Sequence, residues 1–228
     1  MNRAVRVLVV VAHPDDAELT IGGAIARWCD QGNEVTVACC SVSEKTSELA
    51  VRRREAAEQA ARILGHRVHW VTQGDGRRVE EMPEYYLVEL IDALVSDLGP
   101  DVVVSHWGGD PHRDHRRVAR TVVASARTWP DVALLQLGPS EHLSPVSAGF
   151  SPTVMIPMSG ELARKSEALA VYHYADHSFR PLDVTGGATR NQALGSQIGV
   201  PAAEGMLLLR VVAGSRGATG LGQLLGLP

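Results

Sequence analysis

The stretch Val7-Leu8-Val9-Val10-Val11-Ala12-His13-Pro14-Asp15-Asp16-Ala17-Glu18 carries the strongest fold signal in this chain. It opens with an uninterrupted apolar run, mostly valine, which is typical of a strand buried on both faces of a parallel sheet. An imidazole and two adjacent carboxylates, His13, Asp15 and Asp16, follow the run at once. Ligands of open α/β sheets bind just beyond the carboxyl ends of the strands. The order of residues therefore predicts a functional site where this strand ends.

A second cluster of the same kind, His112-Arg113-Asp114-His115, follows another apolar run, Val102-Val103-Val104-Ser105. Histidine nitrogens and carboxylate oxygens are zinc ligands, and catalytic zinc sites usually combine three protein ligands with water. His13 and Asp16 share one strand-to-helix turn and can converge on one ion, with His115 as the candidate third ligand. The two clusters predict a divalent-metal site with zinc as the leading candidate. Iron(II) or another divalent ion stays open, because affinity order alone does not decide occupancy.

The remaining polar residues of the two clusters suit proton transfer. Asp15 lies between the candidate ligands, and we expect it to point away from them and act as general base toward a metal-activated water. His112 lies three residues before His115, on the same face if a helix begins near it, and suits a general acid or an oxyanion stabiliser. We expect Asp114 to tune the charge state of His112 by raising the pKa of its imidazole.

Each cluster alone also has an ordinary structural interpretation. An Asp at a strand-to-helix turn is a common helix cap, and Asp15 or Asp16 followed by Glu18 resembles a capping arrangement. His106 and Asp110, just upstream of the second cluster, are compatible with a hydrogen-bonded strand end and with contacts to metal ligands or substrate. The presence of both clusters in one chain favours the metal site over these alternatives.

Strand and helix patterns alternate through the first two thirds of the chain. The predicted strands cover 5–11, 34–42, 67–72, 102–106 and 132–137, and the predicted helices cover 16–31, 50–64, 84–98 and 114–127. Alternation of this kind predicts right-handed βαβ units on a mostly parallel sheet, and therefore an α/β fold.

The C-terminal third has a less regular pattern. Its predicted elements are a loop over 138–149, a strand over 151–158, a helix over 161–173, an irregular Gly-rich stretch over 179–189 and a strand over 206–212. The Gly-rich tail after about residue 213 is expected to be flexible. We expect this third of the chain to cap one edge of the sheet and to shape the pocket. Because no linker is visible, residues 1–228 are predicted to form a single domain.

Composition and charge disfavour several classes of function. The chain has 228 residues, a formal net charge of −4 and 4% aromatic residues, which argues against nucleic-acid binding. The chain has three cysteines, Cys29, Cys39 and Cys40, and two of them are adjacent. A disulfide framework is therefore not expected, and we expect the protein to work in a reducing cytoplasm. No apolar run approaches the length of a membrane span. The expected partner is a small molecule, and a homo-oligomer stays open.

The two clusters resemble the signatures of the LmbE-like, or PIG-L-like, zinc-dependent N-deacetylases. The stretch 12–18 followed by Gly22-Gly23 is similar to the first signature of this family, and His112-Arg113-Asp114-His115 is similar to its second, His-x-Asp-His. The resemblance covers most of the chain. Its further positions are Glu55, Leu64-Gly65, Gly74-Asp75-Gly76, Lys165, Ala168-Leu169, Gly199-Val200 and Ala203-Glu204.

This resemblance implies a Rossmann-like three-layer sandwich that binds zinc. The implied zinc ligands are His13, Asp16 and His115. The implied catalytic residues are Asp15 as general base and His112 as general acid or oxyanion stabiliser, oriented by Asp114. Members of the family remove acetyl groups from N-acetylglucosamine units in mycothiol and bacillithiol precursors, in phosphatidylinositol glycans and in some antibiotics. Related members cleave the amide of mycothiol conjugates.

The chain departs from this family pattern near its C-terminus. A late His (or Tyr)-x-Ser-Gln motif corresponds here to Tyr172-His173-Tyr174-Ala175, and an Arg-Gly pair before the last strand corresponds to Leu194-Gly195. These departures leave the zinc chemistry in place and leave the substrate open. We predict a hydrolase that removes an N-acetyl group from an amino sugar or N-acetylglucosaminide. The alternatives are an amidase for another N-acyl small molecule, such as a thiol conjugate or antibiotic intermediate, and a non-catalytic Rossmann-like binding protein. The candidate substrate-binding residues are Arg52, His106, Asp110, Tyr172 and His173.

Overall fold

The computed structural model describes residues 3–42, 47–72, 77–139, 149–175 and 184–227. The strands in these residues are β1 (Arg6–Val11), β2 (Glu34–Cys39), β3 (Arg67–Trp70), β4 (Val102–His106), β5 (Ala133–Leu137), β6 (Val154–Met158) and β7 (Ala202–Arg210). The helices are α1 (Asp16–Asp30), α2 (Ser47–Leu64), α3 (Glu84–Leu98), α4 (Arg113–Ser125), α5 (Glu161–Ala175), α6 (Val184–Gln197) and α7 (Arg216–Leu225). Short 3-10 turns lie at Val79–Glu81 and Ala126–Thr128.

All these strands belong to one sheet, in the order β3-β2-β1-β4-β5-β7-β6. The pairs among β1 to β5 are parallel, whereas β7 is antiparallel to both β5 and β6. This confirms the predicted mostly parallel sheet, and the C-terminal third completes one of its edges. The chain runs outward from β1 to β3 and then returns to place β4 on the other side of β1. The boundary between β1 and β4 is therefore a topological switch point, where open α/β sheets bind ligands.

The apolar run of β1 is buried on both faces, as its sequence predicts. Val7, Val9 and Val11 belong to an apolar layer shared with α1, α2, α5 and α7. Leu8 and Val10 belong to the opposite layer, shared with α3 and α4. Helices thus cover both faces of the sheet, and the architecture is the expected three-layer α/β sandwich.

The structure corrects two predictions in the Gly-rich C-terminal region. Part of the stretch predicted to be irregular is helical in α6, while 179–183 lies outside the described residues. The tail predicted to be flexible forms α7, which Ser215 caps and in which Leu224 is buried. A Cβ at Gly217 would overlap the backbone of Ala133 in β5. The glycines that indicated flexibility therefore allow a helix to approach the sheet closely.

Two other predicted features fall on parts of the chain that the structure does not describe. The predicted loop over 138–149 lies largely outside the described residues, and so does Gly74-Asp75-Gly76. Among the helices that the structure describes, none combines the length and the apolarity needed to cross a membrane.

Candidate metal centre

The two His/Asp clusters meet at the switch point between β1 and β4. These strands pair in parallel with Val10 opposite Ser105, so the residues that follow them lie side by side at the carboxyl edge of the sheet. The amide of Ala12 donates a hydrogen bond to Nε2 of His106 at 2.9 Å, which joins the two strand ends. Side chains separated by about a hundred positions in the sequence therefore share one site.

The turn between β1 and α1 holds Asp15 and Asp16 in different ways. Asp15 has a left-handed backbone conformation, φ 87° and ψ −27°, which costs a non-glycine residue roughly 1–3 kcal/mol and often marks a functional site. Asp15 precedes the first helical residue, but among the described residues its side chain makes no capping hydrogen bond. Asp16 closes the turn instead, because its Oδ2 accepts from the amide of His13 at 2.9 Å. The helix-cap interpretation therefore does not account for the Asp15 side chain.

Asp16 is the anionic centre of the cluster. Its side chain is 4% exposed, its Oδ1 lies 3.2 Å from Nε2 of His115, and its Oδ2 lies 3.3 Å from Nε2 of His106. Burial alone would raise the pKa of this carboxyl, but the two histidines outweigh burial and hold the pKa well below its usual range. Asp16 is therefore ionised and can act as a negatively charged ligand.

His115 lies between two carboxylates. Its Nε2 faces Asp16, and its Nδ1 lies 3.2 Å from Oδ2 of the buried Asp110. Burial disfavours the charged imidazolium, but the carboxylates, led by Asp16, outweigh burial and raise the pKa of His115 to about 10. The site thus stabilises positive charge next to Nε2 of His115, the nitrogen that faces Asp16. A metal ion bound there would replace the proton on Nε2. Asp110 would then orient the other ring nitrogen, an arrangement common for metal-ligating histidines.

Asp114 contacts His13 rather than His112. The Oδ2 of Asp114 lies 3.0 Å from Nε2 of His13, while Nδ1 of His112 accepts from the amide of Asp114 at 3.2 Å. The pKa of His112 is lowered by burial and then by His115 and His13, and the opposing effect of Asp114 does not outweigh them. Asp114 therefore acts on the pKa of His112 in the predicted direction, but the prediction that this pKa is raised overall is wrong. Because His112 is the N-cap residue of α4, its Nδ1 is turned toward its own helix, and the Asp114 carboxylate faces the end of β1.

The Asp15 carboxyl has an environment that favours its protonated form. Burial, followed by the charges of Asp16 and Glu18, raises the pKa of Asp15 well above its usual range. The charges of Arg53 and His115 oppose this effect without cancelling it. A carboxylate with a raised pKa is a stronger base than an ordinary Asp, which suits it to take a proton in general acid–base catalysis.

Two overlapping groups of side chains within the described residues can hold a metal ion, and both include His115. The groups are His13, His112 and His115, and Asp16, His106 and His115. His106 is the weakest candidate, because its Nε2 already accepts a backbone amide. The predicted set of His13, Asp16 and His115 is neither of these groups, because His13 belongs to one and Asp16 to the other. Nδ1 of His13 lies 3.7 Å from Oδ2 of Asp16, and the rings of His13 and His115 have centres 5.5 Å apart. Two imidazoles and one carboxylate fit a catalytic zinc site, and the same donors suit iron(II).

A second buried polar group lies behind the cluster and consists of Glu18, Tyr172 and His66. The Tyr172 hydroxyl donates to Oε1 of Glu18 at 3.1 Å, and Nε2 of His66 lies 3.7 Å from the same oxygen. Burial raises the pKa of Glu18 to about 7 and lowers that of His66 to about 4, so both groups favour their neutral forms. The sequence predicts Tyr172 as a substrate contact, whereas the structure places it 5% exposed beneath the site. No motif marks His66, and sequence reasoning missed it.

The structure does not bring Arg52 to the cluster. Arg52 pairs with Glu48 one turn earlier at 2.6 Å, and its side chain is 50% exposed. The neighbouring Arg53 acts on the cluster instead, because its charge lowers the pKa of Asp15. The buried face of α2 is marked by Ala50, Ala57, Ala60 and Leu64. Arg53 has the helical phase of this face, a signal present in the sequence. His173 belongs to α5, and its side chain lies outside the described residues.

A comparison with known families identifies the chain. The family model described as GlcNAc-PI de-N-acetylase, PIG-L, matches residues 8–126. The chain belongs to the PIG-L family. The matched segment runs from β1 to the end of α4 and contains both His/Asp clusters. The resemblance predicted from the sequence motifs is thereby confirmed.

Two relatives of this chain share one enzyme name. A 1D-myo-inositol 2-acetamido-2-deoxy-α-D-glucopyranoside deacetylase of Tsukamurella paurometabola is 39% identical, over 53% of this chain and 54% of that protein. A protein of the same name from Saccharopolyspora erythraea is 28% identical, over 56% of this chain and 55% of that protein. The chain thus spans about half the length of the relatives that it matches.

Solved structures share the fold over most of this chain. A conserved protein of Thermus thermophilus superposes with a TM-score of 0.75 at 23% identity, covering 90% of this chain and 95% of that one. The N,N'-diacetylchitobiose deacetylase of Pyrococcus horikoshii superposes with a TM-score of 0.71 at 21% identity, covering 96% and 86%. At this level of identity the likeness establishes the architecture, including the C-terminal third that the family model does not match.

Proposed function

We propose that this chain is a metal-dependent hydrolase that removes the acetyl group from an N-acetylated amino sugar of the N-acetylglucosaminide type. The observation that carries the proposal is His115, held between the carboxylates of Asp16 and Asp110 beside an Asp15 side chain that does not cap its helix. Membership of the PIG-L family and the names of the relatives, which are deacetylases of a 2-acetamido-2-deoxyglucopyranoside, support the substrate class. The predicted cytoplasmic setting stays a prediction.

In this proposal, His13, Asp16 and His115 hold the metal ion, with zinc as the proposed metal. When bound, zinc supplies Lewis acidity, which makes a water nucleophilic near neutral pH and polarises the amide carbonyl. Asp110, whose Oδ2 lies 3.2 Å from the far nitrogen of His115, would orient the ring.

Two further residues, Asp15 and His112, transfer the proton and stabilise the developing charge in the proposed reaction. Asp15, whose pKa is raised by burial and by its neighbouring carboxylates, accepts a proton from the attacking water. Nδ1 of His112 accepts a hydrogen bond from its own helix, so the Nε2–H of the neutral ring is the donor left to stabilise the oxyanion, and Asp15 passes the proton on to the departing amine. The net reaction consumes one water, breaks the amide C–N bond and releases acetate and the free amine.

The proposal is tested by metal reconstitution followed by a substrate panel. Chelator-treated protein would be loaded with Zn²⁺ or Fe²⁺ and assayed for acetate release from N-acetylglucosaminides, and for cleavage of N-acyl thiol conjugates. We expect metal-dependent acetate release from the sugars, its loss in His115→Ala, and no loss in His69→Ala, which removes an exposed histidine of β3. Cleavage of the thiol conjugates alone would favour the amidase alternative. Metal binding with no hydrolysis across the panel would favour a binding protein.

A further inference from the structure

Helix α1 is bent close to the candidate metal centre. Ile21 has φ −133° and ψ 25°, which are not helical values. The bend separates a short first segment, 16–20, from a second segment, 22–30. The first segment carries the Asp16 carboxylate, so its direction decides where that carboxylate is presented.

The carboxylate of Glu204 in β7 binds the chain at this bend. The amide of Gly23 donates to Oε1 of Glu204 at 3.1 Å, and the amide of Ala24 donates to Oε2 at 2.7 Å. The first amides of a helix need partners from outside it, and an acidic side chain is a favourable partner because of the helix dipole. Glu204 therefore caps the second segment of α1 from a distant strand.

Glu204 is itself held by a buried lysine. Nζ of Lys165 donates to Oε1 of Glu204 at 2.6 Å and to Oδ1 of Asn191 at 3.1 Å. The side chains of Lys165 and Glu204 are 2% and 0% exposed. Nδ2 of Asn191 donates in turn to the carbonyl of Ala203 at 2.9 Å. The network joins α1, α5, α6 and β7 immediately behind the bend.

The glycine pair of the first sequence signature makes room for this network. A Cβ at Gly22 would lie 3.2 Å from Cγ of Lys165, and a Cβ at Gly23 would overlap Sδ of Met158 in β6. Glycine is unfavourable inside a helix, so a packing reason is needed for two in succession. The close approach of Lys165 and Met158 supplies that reason.

Stability alone gives a weak account of the Lys165–Glu204 pair. Removing two charges from water offsets most of their attraction, so a buried ion pair often contributes no more than well-packed apolar residues. What a fully hydrogen-bonded pair does provide is a fixed geometry. A second ion pair, Arg164–Asp30 at 2.7 Å, also joins α5 to α1, but it lies on the surface at the far end of α1. Of these two pairs, the buried one is the pair that lies at the bend.

We propose that Glu204 and Lys165 are positioning residues for the candidate metal centre. They act through the backbone of α1: the capped bend sets the direction of the first segment and hence the position of the Asp16 carboxylate. This inference rests on the proposed function, because it assigns the two residues to the same metal centre. It also links the late Ala203-Glu204 motif and Lys165 to the first signature, from which they are far in sequence.

The decisive variant is Glu204→Gln, matched to Asp30→Asn. Three donors converge on the Glu204 carboxylate, and an amide offers them a single oxygen, so the cap is weakened with little change in volume. We expect Glu204→Gln to weaken Zn²⁺ binding by ~10-fold in a chelator competition, the lower end of the effect of groups that orient metal ligands. We also expect a changed visible spectrum of the Co²⁺-loaded protein and a lower kcat with KM retained. Asp30→Asn should leave the Zn²⁺ affinity, the Co²⁺ spectrum, kcat and KM unchanged.

Lys165→Met keeps the cap and removes its counter-charge, and it carries the test if Glu204→Gln does not fold. We expect a smaller change in the same direction. The positioning role would be overturned if both variants matched the wild type in Zn²⁺ affinity and in Co²⁺ spectrum, even if their thermal stability fell. If only Lys165→Met folds, a match in that variant alone would overturn it. A wild-type protein that binds neither Zn²⁺ nor Co²⁺ would reject the proposed function together with this inference. If the wild-type protein binds zinc and the variants bind it equally well, the positioning role alone would be rejected.

Discussion

The buried His66 makes the fold sensitive to acid. Its side chain is fully buried, and among the described residues neither ring nitrogen has a hydrogen-bond partner. Burial lowers the pKa of His66 from 6.5 to about 4. Because the unfolded chain binds this proton more readily than the folded one, the stability that His66 contributes is complete above pH 6.5 and is lost as the pH falls toward 4. The difference between the two values corresponds to about 3 kcal/mol of unfolding free energy.

Glu18, 3.7 Å away, opposes this trend over nearly the same pH range. Burial raises the pKa of Glu18 from 4.5 to about 7, so the folded state holds a proton that the unfolded chain releases. The corresponding stability is complete below pH 4.5 and is lost as the pH rises toward 7, again by about 3 kcal/mol. In the wild-type protein the two trends largely cancel, because folded and unfolded states bind similar numbers of protons.

Single substitutions separate the two trends. Glu18→Gln leaves the His66 trend, so this variant should lose about 2–3 kcal/mol of stability as the pH falls from 7 to 4.5. His66→Leu leaves the Glu18 trend, so this variant should gain a similar amount over the same change. Urea unfolding of chelator-treated protein, followed by circular dichroism, measures both. The candidate metal ligands titrate in both variants and cancel in the comparison. Parallel stability curves for the two variants would refute the reasoning.

The metal centre offers four more tests. Alanine in place of any of the three proposed ligands should remove most of the bound zinc measured by elemental analysis; wild-type metal content in all three variants would contradict the assignment. Asp15→Asn should keep the metal and lower turnover by about 10²–10⁴-fold, the usual contribution of a general base, and a near-normal kcat would remove that role. Asp110→Asn should weaken zinc affinity by about 10–100-fold in a chelator competition, and an unchanged affinity would separate Asp110 from the centre. His112→Ala should keep the metal and lower kcat by about 10²–10³-fold, the usual loss for one oxyanion donor, and a near-normal kcat would remove that role.

The sequence predicted those helices and strands whose burial requires apolar residues at a regular spacing or in an unbroken run. The helix predicted over 84–98 and the strand predicted over 102–106 match α3 and β4 at both ends. The pattern failed for α6 and α7, because glycine lowers intrinsic helix propensity while tertiary packing decides the outcome. A side chain at Gly217 would overlap the backbone of β5, and one at Gly220 would press against Val5 and Asp101. Only the packing partner reveals this.

The meeting of the two clusters could be predicted because neighbouring parallel strands end at the same edge of a sheet. Which carboxylate meets which imidazole could not, since that depends on the angle at which α4 crosses the end of β1. Asp114 is close to His112 in sequence, yet its carboxylate bonds to His13, about a hundred positions away. His66 is similarly remote from Glu18, and no local pattern relates an isolated histidine after a helix to a carboxylate near the start of the chain.

The carboxyl groups at the start of α1 explain why the cap at the bend has to carry no net charge. Asp15, Asp16 and Glu18 place three carboxylates within four residues, and neighbouring carboxylates oppose one another's ionisation. A carboxylate is the natural acceptor for the amides at the bend, but a further negative charge there would add to this repulsion. Lys165 removes the difficulty, because its ammonium group lies 2.6 Å from Glu204 and makes the cap neutral as a unit. The buried pair therefore holds the bend without adding a net negative charge beside three carboxyl groups that already oppose one another's ionisation.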